Sequence, residues 1–340
     1  VFAGSREDEL TLKIRGVPYL EILRRGGGIL KTLRLTREAK LDDLVRQARE
    51  RLDIALLHGT TTMEAKSGYG LDMKNEIKIL RACKKLNEEH PMDIIPTFMG
   101  AHAIPPEFKD NPNGYVDIVI DMLPRIVREG LAVFNDVFVE KGVFDRKQGR
   151  RILLEGKKYG LIPKVHADEF HDMGGASLAA EVGAISADHL LWSAEEGLKM
   201  MAKRGTVGVL LPAASVALMG SKFADAETLK RLGVPIALGT DLNPNCWIEN
   251  MQLVMTLAVY FLRLTPAEAI SAATINAAHA VGLAEIVGSI EKGKLADLII
   301  LRVPSHLWIG YRFGANLVEY VIKSGRVVVE DGRLVYGEGC

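Results

Sequence analysis

The sequence predicts an α/β protein with a (β/α)8, or TIM-barrel, architecture. Seven strand-like segments are nearly all separated by helical segments, an alternation typical of a parallel sheet. Polar residues follow many of these strands. In a barrel every strand end faces one mouth, whereas an open sheet gathers ligand residues at a few strands, so we expect a barrel. The polar strand-end residues are Lys66, His102, Glu140, His166, His189 and Asp241.

Local signals support each element in turn. A polar helix is predicted over 36–57. Two capping boxes are predicted further on, a Ser193–Glu196 box in a helix closed by Gly205 and a Thr265–Glu268 box. The predicted strands cover 59–66, 93–99, 134–139, the first part of 161–169, 185–189, 206–211 and 234–239.

The pattern changes after about Leu283. Short strands with glycine turns, and no helices between them, predict a small β-sandwich appendage. We therefore expect a TIM-barrel domain over 1–283 and the C-terminal part of a small β domain over 284–340, its N-terminal part being absent from this chain. Because only seven barrel strands are visible, we expect the first barrel strand to lie before Val1.

Composition excludes several classes of protein. Lys and Arg together number 43, as do Asp and Glu, so no overall charge favours nucleic acid or an anionic membrane. The three cysteines, Cys83, Cys246 and Cys340, are too few and too dispersed for a disulfide framework and favour a reducing compartment. No apolar run is long enough to span a membrane and no signal peptide is visible, so we expect a cytoplasmic protein.

The stretch 161–169 carries the densest chemistry. Its apolar first half predicts a buried parallel strand, and His166, Asp168 and Glu169 follow within four residues. Alternation along a strand sends His166 and Asp168 to one face, with Glu169 past the strand end. An imidazole and two carboxylates there offer a metal ligand, a proton carrier and an anchor. Alternatively, His166 caps a strand and the acids are solvated loop residues.

Four titratable strand-end residues, His102, His166, His189 and Asp241, are expected to converge on one mouth. A buried imidazole alone is more often structural than chemical, but packing does not require four such groups together. Nitrogen and carboxylate ligands suit zinc or a similar divalent ion, which activates water at neutral pH. Asp241 could also accept the water proton, and Glu169 or His189 could carry protons. No serine nucleophile motif, CxxC or HExxH is present, which disfavours serine catalysis.

Six strings together resemble the imidazolonepropionases, a family of the amidohydrolase superfamily. The Lys-Ser-Gly-Tyr-Gly and His-Ala-Asp-Glu strings jointly resemble this family specifically, whereas a strand-end His and Asp would indicate only the superfamily. The likeness continues to the Tyr-Arg-Phe-Gly string at 311–314. The six strings are Phe2–Arg6, Lys66–Gly70, Gly100–His102, Lys164–Glu169, Ser186–His189 and Thr240–Pro244.

The resemblance implies hydrolysis of the ring amide of 4-imidazolone-5-propanoate to N-formimino-L-glutamate, a step of histidine degradation. It implies one divalent ion, zinc or iron, held by His166 and Asp241. It also implies a small-molecule substrate and a homodimer. The implied substrate-contacting or catalytic residues are Arg6, Tyr69, His102, Glu169, His189, Asn243 and the loop residues Asn245 and Cys246.

These implied roles agree with the chemistry of the side chains. A propionate tail needs a guanidinium clamp, which Arg6 can supply bidentately, and Tyr69 and His102 can offer flat polar partners to the ring. Amide hydrolysis also needs a group that stabilises the oxyanion, for which we choose His189, and Glu169 to carry the water proton toward the leaving nitrogen.

The sequence departs from the family in two places. The family's His-x-His pair, which adds two metal ligands on the first barrel strand, would fall immediately before Val1. Two ligands are fewer than the three that a catalytic zinc takes from protein. Asn245 and Cys246 stand where family members often carry Gly followed by Ser or Thr. Two alternatives therefore stay open: another amidohydrolase such as a heterocycle deaminase, or a non-catalytic small-molecule binding module.

Overall fold

A parallel sheet of seven strands forms the centre of the molecule. The computed structural model describes residues 1–17, 21–22 and 25–336. The strands lie side by side in strict chain order. They are β1 (Thr62–Lys66), β2 (Asp93–Ala101), β3 (Phe134–Val139), β4 (Ile162–Ala167), β5 (Ser186–His189), β6 (Val207–Leu210) and β7 (Ile236–Leu238).

The sheet curls as a barrel does. In a flat sheet the fourth neighbour of a strand lies about 19 Å away, at about 4.8 Å per strand. Yet Lys66 Nζ, at the end of β1, lies 2.6 Å from Asp188 Oδ2 on β5. This contact requires strong curvature and a shared interior, so the prediction of a TIM-barrel-like fold is confirmed. The eighth strand, expected before Val1, stays a prediction.

Helices alternate with the strands and cover the outside of the sheet. They are α1 (Asp8–Ile14), α2 (Ile29–Glu38), α3 (Leu41–Leu57), α4 (Met73–Glu89), α5 (Pro112–Arg128), α6 (Arg146–Lys158), α7 (Gly175–Val182), α8 (Glu195–Arg204), α9 (Pro212–Ala217), α10 (Ala226–Leu232), α11 (Met251–Phe261), α12 (Pro266–Ala273) and α13 (Ile275–Ala280). Their apolar faces pack on the sheet in a core that includes fully buried Tyr115, Phe98 and Phe144. Among the described helices, none combines the length and apolar character needed to cross a bilayer.

Some helix predictions are confirmed and others are wrong. Thr265 caps α12 in the predicted box with Glu268, and Gly205 ends α8 at φ +69°. The Ser193–Glu196 box is wrong, because Ala194 is the N-cap of α8 and the Ser193 hydroxyl donates to Asp168 Oδ2 at 2.7 Å instead. The single helix predicted over 36–57 is two helices, α2 and α3, separated by extended backbone at Ala39.

A second, antiparallel sheet follows the barrel helices. Its order is β11-β10-β9-β8, from β8 (Leu298–Leu301), β9 (Val318–Lys323), β10 (Arg326–Glu330) and β11 (Arg333–Leu334). Lys323 Nζ joins it to the barrel, 2.6 Å from Asp93 Oδ2 at the start of β2. The domain division at residue 283 stays a prediction, and residues 337–340 of the second domain lie outside the described residues.

Candidate active site

The predicted site residues lie around one large cavity at the C-terminal ends of the parallel strands. Its volume is about 1570 Å³, and it continues along the inner faces of β1 and β7 toward Ile299 of the small sheet. The structure therefore brings side chains from β1 to β7 and from the N-terminal segment to a common space. The predicted residues that line it are Arg6, Tyr69, His102, His166, Glu169, His189, Asp241, Asn243, Asn245 and Cys246.

His166 lies at the centre of this group, near the end of β4. Its Nδ1 is 3.0 Å from Asp136 Oδ2 on β3 and 3.8 Å from Asp188 Oδ2 on β5. The closer approach is too oblique for a hydrogen bond, and Nδ1 is buried without a partner within the described part of the chain. Burial, the largest influence, opposes a charged ring, but Asp136 and Asp188 together outweigh it, so the pKa of His166 is raised.

Lys66 joins the two carboxylates beneath His166. Its ammonium lies 2.5 Å from Asp136 Oδ2 and 2.6 Å from Asp188 Oδ2. Burial alone would lower the pKa of Lys66, but the two aspartates and Glu64 raise it well above its usual value. Glu64 in turn accepts a hydrogen bond from Lys164 at 2.7 Å. The barrel interior next to the site therefore contains lysines paired with carboxylates instead of a purely apolar core.

The side chains of His189 and Glu169 lie next to each other at the cavity. Nδ1 of His189 is 3.7 Å from Glu169 Oε1, too far for a hydrogen bond. Burial, with help from His166, lowers the pKa of His189 to about 3, so this ring is neutral at pH 7. Burial, Asp241 and Glu140 raise the pKa of Glu169 well above its usual value. The pair therefore offers a neutral imidazole and a carboxyl group that holds its proton more readily than an ordinary glutamate.

Asp241 follows β7 and opens a compact loop. Burial raises the pKa of Asp241 to about 6. The Asn243 amide is used within the loop: it donates to Asp241 O at 2.8 Å and accepts from Asn245 N at 2.8 Å. Lys13 Nζ donates to Asn245 Oδ1 at 2.6 Å. Burial raises the pKa of the Cys246 thiol to about 12, so it stays protonated and is not a nucleophile at neutral pH.

Arg6, Tyr69 and His102 form the opposite wall. The Tyr69 and His102 rings meet edge to face, with centroids 5.1 Å apart. His102 Nδ1 lies 3.0 Å from Gly68 O, a close approach that needs glycine, because a Cβ at Gly68 would lie 2.8 Å from His102 Cβ. Burial lowers the pKa of His102 to about 4. The nearby His166 and Arg6 act in the same direction. Arg6 is only 8% exposed, yet its Nε has no hydrogen-bond partner among the described residues.

Backbone strain concentrates where the strands deliver these side chains. Three site residues other than glycine have positive φ: Asp168 at 55°, His189 at 75° and Asp241 at 52°. Such conformations cost free energy and cluster at functional sites, where the surrounding structure holds them in place.

The position of Asp168 differs from the one predicted. Asp168 does not share the face of His166, because β4 ends at Ala167 and the Asp168 carboxylate instead accepts backbone N–H groups at the start of α7.

The side chains present fit a divalent metal ion in their chemistry. His166 and Asp241 supply a nitrogen and an oxygen ligand to the same cavity. Asp136 Oδ1 and His166 Nδ1 are buried without hydrogen-bond partners in the described part of the chain. Asp136, His166 and Asp188 also place potential ligand atoms within 4.8 Å of one another. Because Lys66 already lies against both aspartates, we interpret these two acids as partners of Lys66 and His166.

Two site carboxylates were missed as candidates in the sequence, Asp136 and Asp188. Each lies inside a strand and is paired with a residue of β4. Asp188 pairs with His166, and Asp136 pairs with Lys164. A polar residue at the C-terminal end of a predicted strand indicates a site residue, but this pattern does not identify residues inside a strand. A better signal is available, since a charged residue within a short buried strand requires a partner.

Comparison with known proteins places the chain in a family. Residues 162–328 match the model of the amidohydrolase family. The chain is 55% identical to the imidazolonepropionase of Geobacillus kaustophilus (strain HTA426), over 98% of this chain and 79% of that protein. It is 50% identical to the imidazolonepropionase of Alkaliphilus metalliredigens (strain QYMF), over 98% of this chain and 80% of that protein. The chain belongs to the imidazolonepropionase family. The family resemblance found in the sequence is thus confirmed.

Solved structures agree with this assignment at the level of the fold. A zinc-bound adenosine deaminase from Xanthomonas campestris superposes with a TM-score of 0.71 at 18% identity, covering 94% of this chain and 76% of that one. An atrazine chlorohydrolase from Arthrobacter aurescens TC1, complexed with zinc, gives a TM-score of 0.69 at 14% identity, covering 97% and 79%. The imidazolonepropionase family therefore shares its barrel with enzymes of different substrate choice.

Proposed function

We propose that the protein hydrolyses the ring amide of 4-imidazolone-5-propanoate to N-formimino-L-glutamate in histidine degradation. Family membership at 55% identity supports this reaction. The observation that carries it within the structure is convergence: a buried arginine whose Nε has no hydrogen-bond partner among the described residues, a neutral histidine and a glutamate with a raised pKa surround one cavity with His166 and Asp241. Packing alone does not gather such groups.

Substrate binding is assigned to one wall of the cavity. Arg6 binds the propionate carboxylate, for which a buried guanidinium is well suited when its Nε has no hydrogen-bond partner among the described residues. Tyr69 and His102 contact the planar ring, and the backbone at Gly68 fixes the His102 ring. The loop of Asn243, Asn245 and Cys246 closes the other side of the pocket.

The chemical step is assigned to Glu169 and His189. A water oxygen adds to the ring carbonyl carbon, the ring carbon–nitrogen bond breaks, and the proton from water goes to the leaving nitrogen. Glu169 takes this proton and delivers it, as its raised pKa permits. His189, neutral at pH 7, donates its N–H to the developing oxyanion.

His166 and Asp241 would hold one divalent ion, zinc or iron. When bound, such an ion supplies activated water at neutral pH. Asp136 Oδ2, which Lys66 holds at 2.5 Å, lies 3.0 Å from His166 Nδ1 and acts on this ring electrostatically, without a hydrogen bond. The number of ions and the choice of metal, like a cytoplasmic location and a homodimer, stay predictions.

The experiment that tests this function is an assay of the full-length protein on 4-imidazolone-5-propanoate, with formation of N-formimino-L-glutamate as the readout. We expect turnover that a chelator abolishes and that added zinc or iron(II) restores. Full activity in a preparation shown to be metal-free would contradict the proposal, and so would turnover of a heterocyclic amine in place of the imidazolone.

A further inference from the structure

Glu140 follows the last residue of β3 and has no role in the reaction as assigned above. Its side chain is buried, 4% exposed, although it lines the cavity. The carboxylate accepts hydrogen bonds from the loop that follows β4. Oε2 accepts from the backbone N–H groups of Phe170 at 2.9 Å and His171 at 3.3 Å, and Oε1 lies 2.8 Å from His171 Nδ1. Glu140 therefore holds a loop that belongs to the next strand.

The same loop is held from its other side by Asp168. Asp168 Oδ1 accepts from Met173 N and Gly175 N, both at 2.9 Å, and Oδ2 accepts from Ala176 N at 3.1 Å and from the Ser193 hydroxyl at 2.7 Å. The loop thus meets a buried carboxylate on each flank. Backbone groups that would otherwise need water as a partner are satisfied, so the loop has a defined path.

Glu169 lies between these two anchors. Its side chain is 13% exposed and is directed toward His189. The position of Glu169 is therefore set by contacts made by its neighbours 168, 170 and 171. A second buried carboxylate near Glu169 also carries an electrostatic cost. A residue that merely filled space at the end of β3 would not need acceptor oxygens directed at this loop.

We propose that Glu140 is a positioning residue that fixes Glu169 for proton transfer by accepting the N–H groups of Phe170 and His171. This inference rests on the proposed function, in which Glu169 carries the proton. It requires acceptor atoms at the right distance from the loop, so side-chain length matters more than charge.

A similar arrangement on the binding wall provides a comparison. Glu76, fully buried on α4, accepts backbone N–H groups of Gly68 at 2.9 Å, Gly70 at 2.7 Å and Leu71 at 2.8 Å. Tyr69 lies within that loop, as Glu169 lies within the other. Loosening the Glu76 loop should weaken substrate binding, whereas loosening the Glu140 loop should slow the chemical step.

The test compares Glu140→Gln, which keeps the length and one acceptor oxygen, with Glu140→Asp, which keeps the charge but is one methylene shorter. We expect kcat of Glu140→Asp to fall about 10²-fold, the cost of a displacement near 1 Å, with KM changed by no more than about twofold. Glu140→Gln should retain most of kcat, because its one oxygen can accept the N–H groups of Phe170 and His171, and only the Lys141 N–H, which donates to Oε1 at 2.8 Å, loses its acceptor. Metal content and Tm, measured on each variant, separate repositioning from loss of the ion or the fold.

Two further variants complete the design. Glu76→Asp should raise KM more than it lowers kcat. Asp225→Ala, which removes a helix-cap acceptor for Thr228 N–H away from the cavity, should lower Tm alone. The inference is overturned when Glu140→Asp is as active as Glu140→Gln, or more so, or when KM rises as much as kcat falls. An inactive wild-type protein would instead refute the proposed function.

Discussion

At the scale of single residues, two cations that line the cavity, the partly buried Lys66 and the buried Arg6, differ in what surrounds them. Lys66 has two carboxylate oxygens within 2.6 Å. Arg6 Nε has no hydrogen-bond partner among the described residues. A buried polar group is costly when it is unpaired, so it marks a place where a ligand supplies the partner. Lys66 is thus explained by the fold, whereas the unpaired Nε of Arg6 supports its proposed role in binding the substrate carboxylate.

The Arg6→Ala variant should therefore bind the propionate substrate less tightly. A hydrogen bond to a charged group contributes about 1.5–3 kcal/mol, so KM should rise about 10- to 100-fold. Steady-state kinetics measure the effect, and kcat at saturation should change far less.

Two controls accompany this prediction. Arg204→Ala removes an exposed arginine at the end of α8 and should leave KM unchanged. A substrate analogue with a propionamide tail should bind wild type and Arg6→Ala alike, because it has no carboxylate to clamp. Equal loss of affinity for both tails would show that Arg6 does not bind the carboxylate.

The sequence predicts the residues that end strands better than those inside them. His166, His189 and Asp241 are predicted because each stands at or near the C-terminal end of a strand that the sequence itself indicates. Asp136 and Asp188 are not, because their partner Lys66 lies 70 and 122 residues away in the chain. A pairing at such separation is created by barrel closure, and no local pattern records it.

At the scale of elements, Lys66 connects three strands through its ammonium group. It belongs to β1, while Asp136 belongs to β3 and Asp188 to β5. Removing one partner from a buried charged group leaves the others without compensation, which costs more than the intact network contributed. The barrel interior therefore depends on this lysine more than on any exposed ion pair.

The Lys66→Met variant, close in shape but uncharged, should lose about 3–5 kcal/mol of the free energy of unfolding. Denaturant unfolding at pH 7 measures it. The matched control is Lys85→Met, which breaks an exposed pair with Asp42 and should leave the free energy of unfolding nearly unchanged. Similar losses in the two variants would mean that the buried network contributes no more to stability than a surface pair.

Element boundaries were predicted closely where the signal is apolar and less well where it is a single polar residue. The range predicted for β3 is the one observed. Ser193 was predicted to cap α8, but it donates to Asp168 instead. A serine before a helix can serve its own helix or a neighbouring loop, and only the tertiary arrangement decides between them.

At the scale of the whole molecule, burial of titratable groups links stability to pH. The pKa of His189 is lowered to about 3 by burial, with His166 next, against an ordinary value of 6.5. The unfolded chain therefore binds a proton in a window where the folded protein does not. This contribution to stability is fully present above pH 6.5 and is lost as the pH falls toward 3.

The His189→Gln variant should show a flatter acid dependence than wild type. Between pH 7 and pH 4, wild type should lose about 3 kcal/mol more of its free energy of unfolding than the variant. Chemical denaturation at a series of pH values, on metal-free protein, gives the difference. Parallel curves for the two proteins would contradict a neutral buried His189.

Metal binding should stabilise the whole molecule through the same site, because an ion that binds only the folded state adds its binding free energy to stability. In the full-length protein, free zinc at a thousandfold excess over Kd should raise the free energy of unfolding by about 4 kcal/mol, and a chelator should remove this gain. Asp241→Asn should lose most of this dependence, because an amide is a weaker ligand than a carboxylate. Asp121→Asn, a change on the outer helix α5, should keep it. If chelation lowered Tm equally in both variants, the stabilising ion would have to be bound elsewhere than at Asp241, and the assignment of His166 and Asp241 as its ligands would fall with it.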